Sequence, residues 1–388
     1  MPLADHYSRF RVSQRLLLTG HSHQAWPDCG FLAQQQAWLD AAELVDEKWG
    51  RAFEQADLVR QGFARLLDDE GGLIALAPNT HELVVRFLSA LDLAQRPKLV
   101  TTDSEFHTLR RQLERLEEAG ITVIRIPQEP IGTVTERMAA AIDDRTAAAL
   151  ISSVFFNSGQ IVPGLELLPA RCRQTGTELL VDAYHALNVA PFSVRQSGLQ
   201  DAFVVGGGYK YCQLGEGNCF LRFPRHCKLR PVITGWYSEF SALADPKHPG
   251  KVAYGQGADR FAGATYDPTS HYRAARVFRF FGDEGLTAAR LRAISQQQIQ
   301  RLIEAFDRLD LDPQVIRRDR SVSLGQIGGF LALRSPRAGE FSKQLFDRGV
   351  WTDSRGDVLR FGPAPYLQNQ QITDAIGVLG EIVLAQSR

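Results

Sequence analysis

Sulfur and uncompensated charge are both scarce in this chain. Five cysteines and two methionines among 388 residues cannot form a disulfide framework, so the stapled mini-protein class is excluded and the thiols read as reduced and structural. The run Cys212, Cys219, Cys227 lacks the close pairs that zinc ligands need. Lys+Arg 44 against Asp+Glu 44 gives a net charge of zero, which leaves no global positive field to draw the chain to nucleic acid or anionic lipid. No stretch of 18 apolar residues occurs, and the run Leu16 to Leu18 is too short for the core of a signal peptide. Together these absences predict a cytoplasmic protein with no nucleic-acid or membrane partner.

Familiar motifs are missing as well. GGGYKY (206 to 211) and GEGNCF (215 to 220) begin as G-x-G but lack the last glycine of a dinucleotide fingerprint. Gly250-Lys251 is followed by Val252, not by the Ser or Thr of a phosphate-binding P-loop, and GHSHQ (20 to 24) lacks the second glycine of a nucleophile elbow. His21 and His23 form a lone H-x-H in a polar loop, which predicts no metal site.

What is present is 44% hydrophobic and 23% charged residues, enough for a full core in two domains. Short apolar runs alternate with helical stretches: LIALA (73 to 77), KLVTT (98 to 102), ITVIRI (121 to 126), AAALISSV (147 to 154), ELLVD (178 to 182) and AFVV (202 to 205). That alternation predicts an α/β fold with a mostly parallel sheet buried on both faces. After Asp267-Pro268 a long helical region from about His271 to Leu309 precedes QIGGFLALR and VLRFG, which reads as a smaller α+β domain. The expected division is an N-terminal segment 1–45 packing with the small domain, a large α/β domain 46–268 and a small domain 269–388, with a helix over Phe31 to Trp49.

One constellation stands out. Asp182 ends ELLVD, and Lys210 follows AFVVGGGY 28 residues later, about one βα unit plus a loop, so both belong at the carboxyl edge of a parallel sheet where open α/β folds bind ligands. Pyridoxal phosphate asks for this pair: a lysine for the covalent link, and an acid to keep the pyridine nitrogen protonated. Glycines 206 to 208 would allow close approach of the cofactor. Asn79 followed by Glu82 is a helix N-cap signature, so the amides there, with the Thr80 hydroxyl, could bind a phosphate. The plainer alternatives are that Asn79 only caps its helix and Lys210 is a solvated loop lysine.

These residues resemble the fold type I pyridoxal phosphate enzymes of the class V aminotransferase superfamily, and within it the kynureninases. LLTGHS (17 to 22), TTDSEFHTLRRQL (101 to 113), FFNSGQI (155 to 161), VDAYH (181 to 185), GGYKY (207 to 211), GWY (235 to 237), RFAGAT (260 to 265) and DSRGDVLRFGPAPYL (353 to 367) carry the likeness, most specifically Asp-x-x-His, Tyr-Lys and Arg-x-x-Pro-x-Pro. The resemblance implies Lys210 as the Schiff-base lysine, Asp182 on the pyridine nitrogen with His185 beside it, and Tyr209 near the phosphate as a proton relay. It implies Asn79 and Thr80 on the phosphate, Phe106 or His107 stacked on the ring, and Trp236 with Thr265 completing the phosphate site, Thr265 from the partner of a homodimer with shared active sites. Arg360 would clamp the substrate carboxylate, with His21 and Ser22 of the opening motif also at the substrate. Alternatively, His185 could be a core histidine, Trp236 plain interface packing, and Arg360 the partner of Asp353 or Asp357.

The implied reaction is hydrolytic Cβ–Cγ cleavage of L-kynurenine or a related aryl-oxo amino acid in tryptophan catabolism. Transamination or β-elimination on another amino acid is the alternative, and a catalytically silent scaffold a third. No cysteine follows Cys227, which disfavours a persulfide route. The chain departs from the family at Asn157, at Ser238-Glu239 and at His21, around the aromatic-substrate pocket.

Overall fold

A computed structural model describes residues 2–69, 71–246 and 249–385. The chain opens with β1 (Leu16–Leu17), α1 (Asp28–Leu44) and α2 (Lys48–Leu66). It then alternates through β2 (Leu73–Ala77), α3 (Thr80–Ser89), β3 (Lys98–Thr102), α4 (His107–Glu118), β4 (Thr122–Ile126), α5 (Val134–Ala141), β5 (Thr146–Ser152), α6 (Leu168–Thr175), β6 (Glu178–Asp182), β7 (Phe203–Gly207) and β8 (Cys219–Phe223). The rest comprises α7 (Thr269–Asp283), α8 (Ala288–Asp307), β9 (Arg317–Arg318), β10 (Leu331–Arg334), α9 (Ala338–Asp347), β11 (Val350–Trp351), β12 (Asp353–Arg355), β13 (Val358–Phe361) and α10 (Asn369–Ala385).

A seven-stranded sheet runs β2-β8-β7-β6-β5-β3-β4. Strands β3 to β7 pair in parallel, and β8 lies antiparallel to both β2 and β7. All seven residues of β5 are buried, because a parallel sheet has helices on both faces. Ala149 and Ile151 point into one apolar cluster, Ala148 and Leu150 into the other, the two-residue period of a strand. Strand β8 escapes the sequence reading: CFLRF is a short apolar run without alternation, and such a run does not declare its structure.

Two helical expectations are corrected. The pattern over 31–49 is α1, a break at Val45 with φ 50°, and then α2, which continues to Leu66. The stretch 271–309 is two helices, separated where Gly285 adopts φ 62° and Thr287 caps α8 by accepting the Arg290 N–H at 3.2 Å. Helix α7 packs on α1 and α2. Its Phe278 meets Phe63 at 5.3 Å, and Phe63 meets Phe220 of β8 at 4.4 Å, so α7 stacks on the large-sheet side of the expected boundary. The N-terminal segment joins the C-terminal sheets: β1 pairs in parallel with β11, and the Gly20 N–H donates to the Gly362 carbonyl at 2.7 Å. A Cβ at Gly20 would lie 2.3 Å from the Pro363 carbonyl oxygen, so only glycine fits this approach. The four-stranded sheet β12-β13-β10-β9 places Asp353 directly opposite Arg360.

Candidate active site

Asp182 is the last residue of β6, and Lys210 lies three residues beyond β7, its parallel neighbour. Both therefore reach the carboxyl edge of the sheet. Lys210 is 6% exposed. Its Nζ lies 2.7 Å from His185 Nε2 and over three aromatic rings, at 4.5 Å from Tyr184, 5.3 Å from Phe106 and 5.7 Å from Tyr209. Burial lowers its pKa to about 7, with the Arg360 charge acting the same way and the Asp182 charge opposing. Burial likewise holds His185 well below its usual range, helped by Lys210 and Arg360. Asp182 is pushed upward by burial; its Oδ1 accepts the Tyr184 N–H at 2.8 Å.

Lys210 and Asp182 sense each other electrostatically, yet among the described residues neither belongs to an ion pair. An unpaired buried amine and an unpaired buried carboxylate cost free energy that a structural role does not repay. A group with an electrophilic carbon for the amine and a basic nitrogen for the acid would satisfy both, and the pyridoxal phosphate ring carries these two functions.

The flanking segments close this edge. Asn79 caps α3, its Oδ1 accepting the Glu82 N–H at 3.0 Å. Asn79 is exposed and Thr80 half-buried, at the start of a ten-residue helix. Both candidates for stacking pack on Phe156, with centroids 5.3 Å away for Phe106 and 5.6 Å for His107, and the Phe106 ring also lies 5.3 Å from Lys210 Nζ. Glu105, just before Phe106, is a buried acid that the sequence reading missed. Its carboxylate accepts from Thr102 Oγ1 at 2.6 Å, the Ser152 N–H at 3.1 Å and Ser152 Oγ at 2.6 Å. Burial raises its pKa to about 7, and the Asp182 charge adds to this. A lone acid in a loop carries no signal beyond its place beside the expected stacking residue. Tyr184, inside the quoted Asp-x-x-His run, was also passed over.

One expectation needs correction. Glycines 206 to 208 admit protein side chains, not a cofactor: a Cβ there would meet Phe220 at 2.9 Å, Tyr184 Oη at 2.5 Å and Leu214 at 2.6 Å respectively. His21 is fully buried, and its Nε2 bonds Asp353 Oδ1 at 2.7 Å. Ser22 Oγ is engaged with His23 Nδ1 at 3.0 Å. Trp236 and Thr265 meet each other, indole Nε1–H to Oγ1 at 3.1 Å, and Thr265 lines a cavity of about 790 Å³ beside Pro78, His81 and Glu82 that Lys210 does not line.

Arg360 pairs with Asp353, while Asp357 takes Arg334 at 3.1 Å. Arg360 Nε donates to Asp353 Oδ1 at 2.8 Å, Nη2 to Oδ2, and Nη1 to the Phe156 carbonyl at 2.7 Å. A guanidinium has five N–H donors, so one on each terminal nitrogen stays open. Phe330, another residue the sequence reading missed, is fully buried, with its ring 5.5 Å from the guanidinium carbon. Among the departures from the family, Ser238 Oγ accepts from Thr234 Oγ1 at 2.9 Å and Glu239 Oε1 from the Ala253 N–H at 2.8 Å. Asn157 Oδ1 is buried without a hydrogen-bond partner among the described residues.

The fold is that of the fold type I pyridoxal phosphate enzymes. A mutant of C-DES with glycine covalently linked to its PLP cofactor superposes with a TM-score of 0.84 at 16% identity, covering 98% of this chain and 100% of that one. Cysteine desulfurase from Thermococcus onnurineus NA1 superposes at 0.82 and 16% identity, covering 99% of each chain. Residues 291–379 match the kynureninase C-terminal domain. An uncharacterized aminotransferase, YcbU of Bacillus subtilis (strain 168), is 23% identical over 345 residues, 88% of this chain and 87% of that protein. Isopenicillin N epimerase of Streptomyces clavuligerus is 28% identical over 188 residues, 46% of each. By these likenesses the chain is similar to class V aminotransferase-like proteins. Among the described residues no helix is long and apolar enough to cross a membrane.

Proposed function

We propose that this chain is a pyridoxal phosphate-dependent enzyme acting on an amino acid, and that its reaction is kynureninase-like: L-kynurenine or a related aryl-oxo amino acid, with water, gives an anthranilate-type acid and alanine. The observation that carries this reading is the buried Lys210, held with an amine pKa of about 7 opposite an unpaired buried Asp182. When bound, the cofactor supplies an electron sink for bond breaking next to the amino-acid α carbon.

The chain's own residues do the rest. Lys210 would hold the cofactor and, once displaced by the substrate amine, take the α proton; an amine pKa near 7 suits proton transfer at neutral pH. Asp182 would keep a proton on the pyridine nitrogen, and the low-polarity wall that raises its own pKa also strengthens that interaction. His185 keeps Lys210 in place at 2.7 Å. Asn79, Thr80 and the first amides of α3 would hold the phosphate, where the helix N-terminus favours an anion. Phe106 would stack on the ring, and Tyr209, its pKa raised to about 12 by burial, stays a neutral hydroxyl at neutral pH. The two open N–H groups of Arg360 would bind the substrate carboxylate. The half-exposed Trp236 and the exposed Val232 and Ile233, beside the cavity over α3, support a homodimer whose partner completes the phosphate site through Thr265.

A second reading, transamination, draws on the likeness to the aminotransferase YcbU, which spans 88% of this chain, whereas the kynureninase match is confined to residues 291–379. Holoenzyme given L-kynurenine should release anthranilate and alanine. Asp182→Asn should keep the visible band of bound cofactor yet lose most turnover, since an amide stabilises a positive ring nitrogen poorly. Amino-acid-dependent spectral change without anthranilate release would discard the hydrolytic reaction and leave the cofactor assignment standing.

A further inference from the structure

Resting on the reading of Arg360 as the carboxylate clamp, we propose that His21 and Asp353 are positioning residues for it: together they aim the open edge of the guanidinium at the α-carboxylate of the substrate. Asp353 and Arg360 face each other across the β12–β13 ladder, so the side-on edge of the guanidinium, Nε with Nη2, meets the carboxylate in two parallel bonds. This geometry fixes the plane of the fork. The Phe156 carbonyl takes one Nη1 hydrogen at 2.7 Å, which leaves one N–H on each terminal nitrogen for a second carboxylate.

Asp353 is itself steered. Its Oδ1 takes two donors, Arg360 Nε at 2.8 Å and His21 Nε2 at 2.7 Å. Since a carboxylate only accepts, the His21 proton sits on Nε2. The imidazole has one place to be: it is fully buried, a Cβ on Gly362 would lie 2.2 Å from its Nδ1, and its other face packs on Phe330 with centroids 4.7 Å apart. His21 arrives there because β1 runs beside β11 and the Gly20 N–H is tied to Gly362, so a residue from the start of the chain fixes a guanidinium near its end. Without this pair the long Arg360 side chain would have rotamers to choose from and a buried charge without a partner.

The test is a titration of holoenzyme with L-alanine and with L-alaninol, which lacks the carboxylate, read by the change in the visible absorbance of the bound cofactor. Asp353→Asn should weaken L-alanine binding by about tenfold or more, as truncation of a buried charge pair does, and leave L-alaninol nearly unaffected. His21→Ala should weaken L-alanine several-fold, and His21→Asn, whose amide N–H can still donate to Asp353, should restore most of the loss. If His21→Ala does not fold, Asp353→Asn and His21→Asn carry the test. L-Alanine binding that is unchanged or tighter in Asp353→Asn, while Arg360→Lys is weakened, overturns the positioning role and leaves the clamp intact. Equal losses for both ligands overturn it too. No loss of L-alanine affinity even in Arg360→Lys removes the clamp reading, and the positioning role with it.

Discussion

Strand β8 joins two regions that treat buried charge in opposite ways. Its first residue, Cys219, lies beside Ala77 and Gly207 at the carboxyl edge of the large sheet, and Arg222 lies beside Ile74 and Val204, toward the other edge. Arg222 is 2% exposed and engages four of its five N–H groups: Nε and Nη2 meet Asp69 at 2.5 and 3.2 Å, and Nη1 meets the carbonyls of Gln200 and Ala202 at 2.7 and 2.8 Å. At the carboxyl edge Lys210 has, among the described residues, one hydrogen bond, to His185, and no carboxylate in contact. Burying a charge is tolerable where its partners come with it, so the satisfied arginine is architecture. The unsatisfied lysine marks a place where a ligand supplies the missing partner. Donor accounting orders the two buried arginines in the same direction, because Arg222 engages four of its five N–H groups and Arg360 three.

The sharpest way to break this comparison is to remove the charge at each end. Lys210→Ala should abolish the visible band of bound cofactor and reduce turnover on the order of a thousandfold or more, with a urea midpoint no lower than that of wild type. A variant that retained the band would end the assignment. Arg222→Met should do the reverse: the cofactor band persists, but unfolding free energy falls by about 3–5 kcal/mol because the buried Asp69 loses its counter-charge, read from urea midpoints at constant m. A stability loss in Lys210→Ala as large as that in Arg222→Met would erase the distinction between the two ends.

How far the sequence revealed these regions depends on the reach of each contact. Asp182 and Lys210 were legible because strand length and βα spacing put both on one edge, and the Asn79 cap because its partner, Glu82, is three residues away. Arg360 was visible as an arginine with two candidate acids. The hairpin register that selects Asp353 over Asp357 is a property of the β12–β13 turn, where Gly356 takes φ 56°, and composition does not announce it. His21 finds Asp353 across 332 residues, and Asp69 finds Arg222 across 153; no periodicity encodes such pairings. The glycines of 206 to 208 were misread because a glycine reports that something comes close, and not whether it is a cofactor or a tyrosine.

A smaller effect separates the two edges by pH. In cofactor-free protein Lys210 titrates near 7, well below its value of about 10.4 in an unfolded chain. Between those values the unfolded state binds more protons, so stability rises with pH, by on the order of 1 kcal/mol per pH unit from this group alone. Subtracting the profile of Lys210→Met isolates the contribution. Arg222→Met should lower the whole curve without changing its slope over pH 7 to 10. A Lys210→Met profile parallel to that of wild type would show that the amine is not held in the desolvated setting described.

Glu105 sharpens the comparison from within the carboxyl edge, because it is hydrogen-bonded there by three donors yet has no counter-charge. Its pKa is raised by burial to about 7 from about 4.3 when unfolded, so between those values the folded state binds more protons and stability falls as pH rises. This window ends near pH 7, where that of Lys210 begins, and the slope has the opposite sign. Glu105→Gln retains the geometry: the amide oxygen still accepts from Thr102 and the Ser152 N–H, and its N–H₂ can donate to Ser152 Oγ. The variant should therefore match wild type near pH 5 within about 1 kcal/mol, the scale of one hydrogen bond. By pH 8 it should be the more stable, on the order of 1 kcal/mol, since it no longer buries an anion. Urea midpoints at the two pH values decide it. A Glu105→Gln variant that loses stability relative to wild type as pH rises would mean that the carboxylate is paired after all, and that this edge keeps a charge partner for Glu105 as the other does for Arg222.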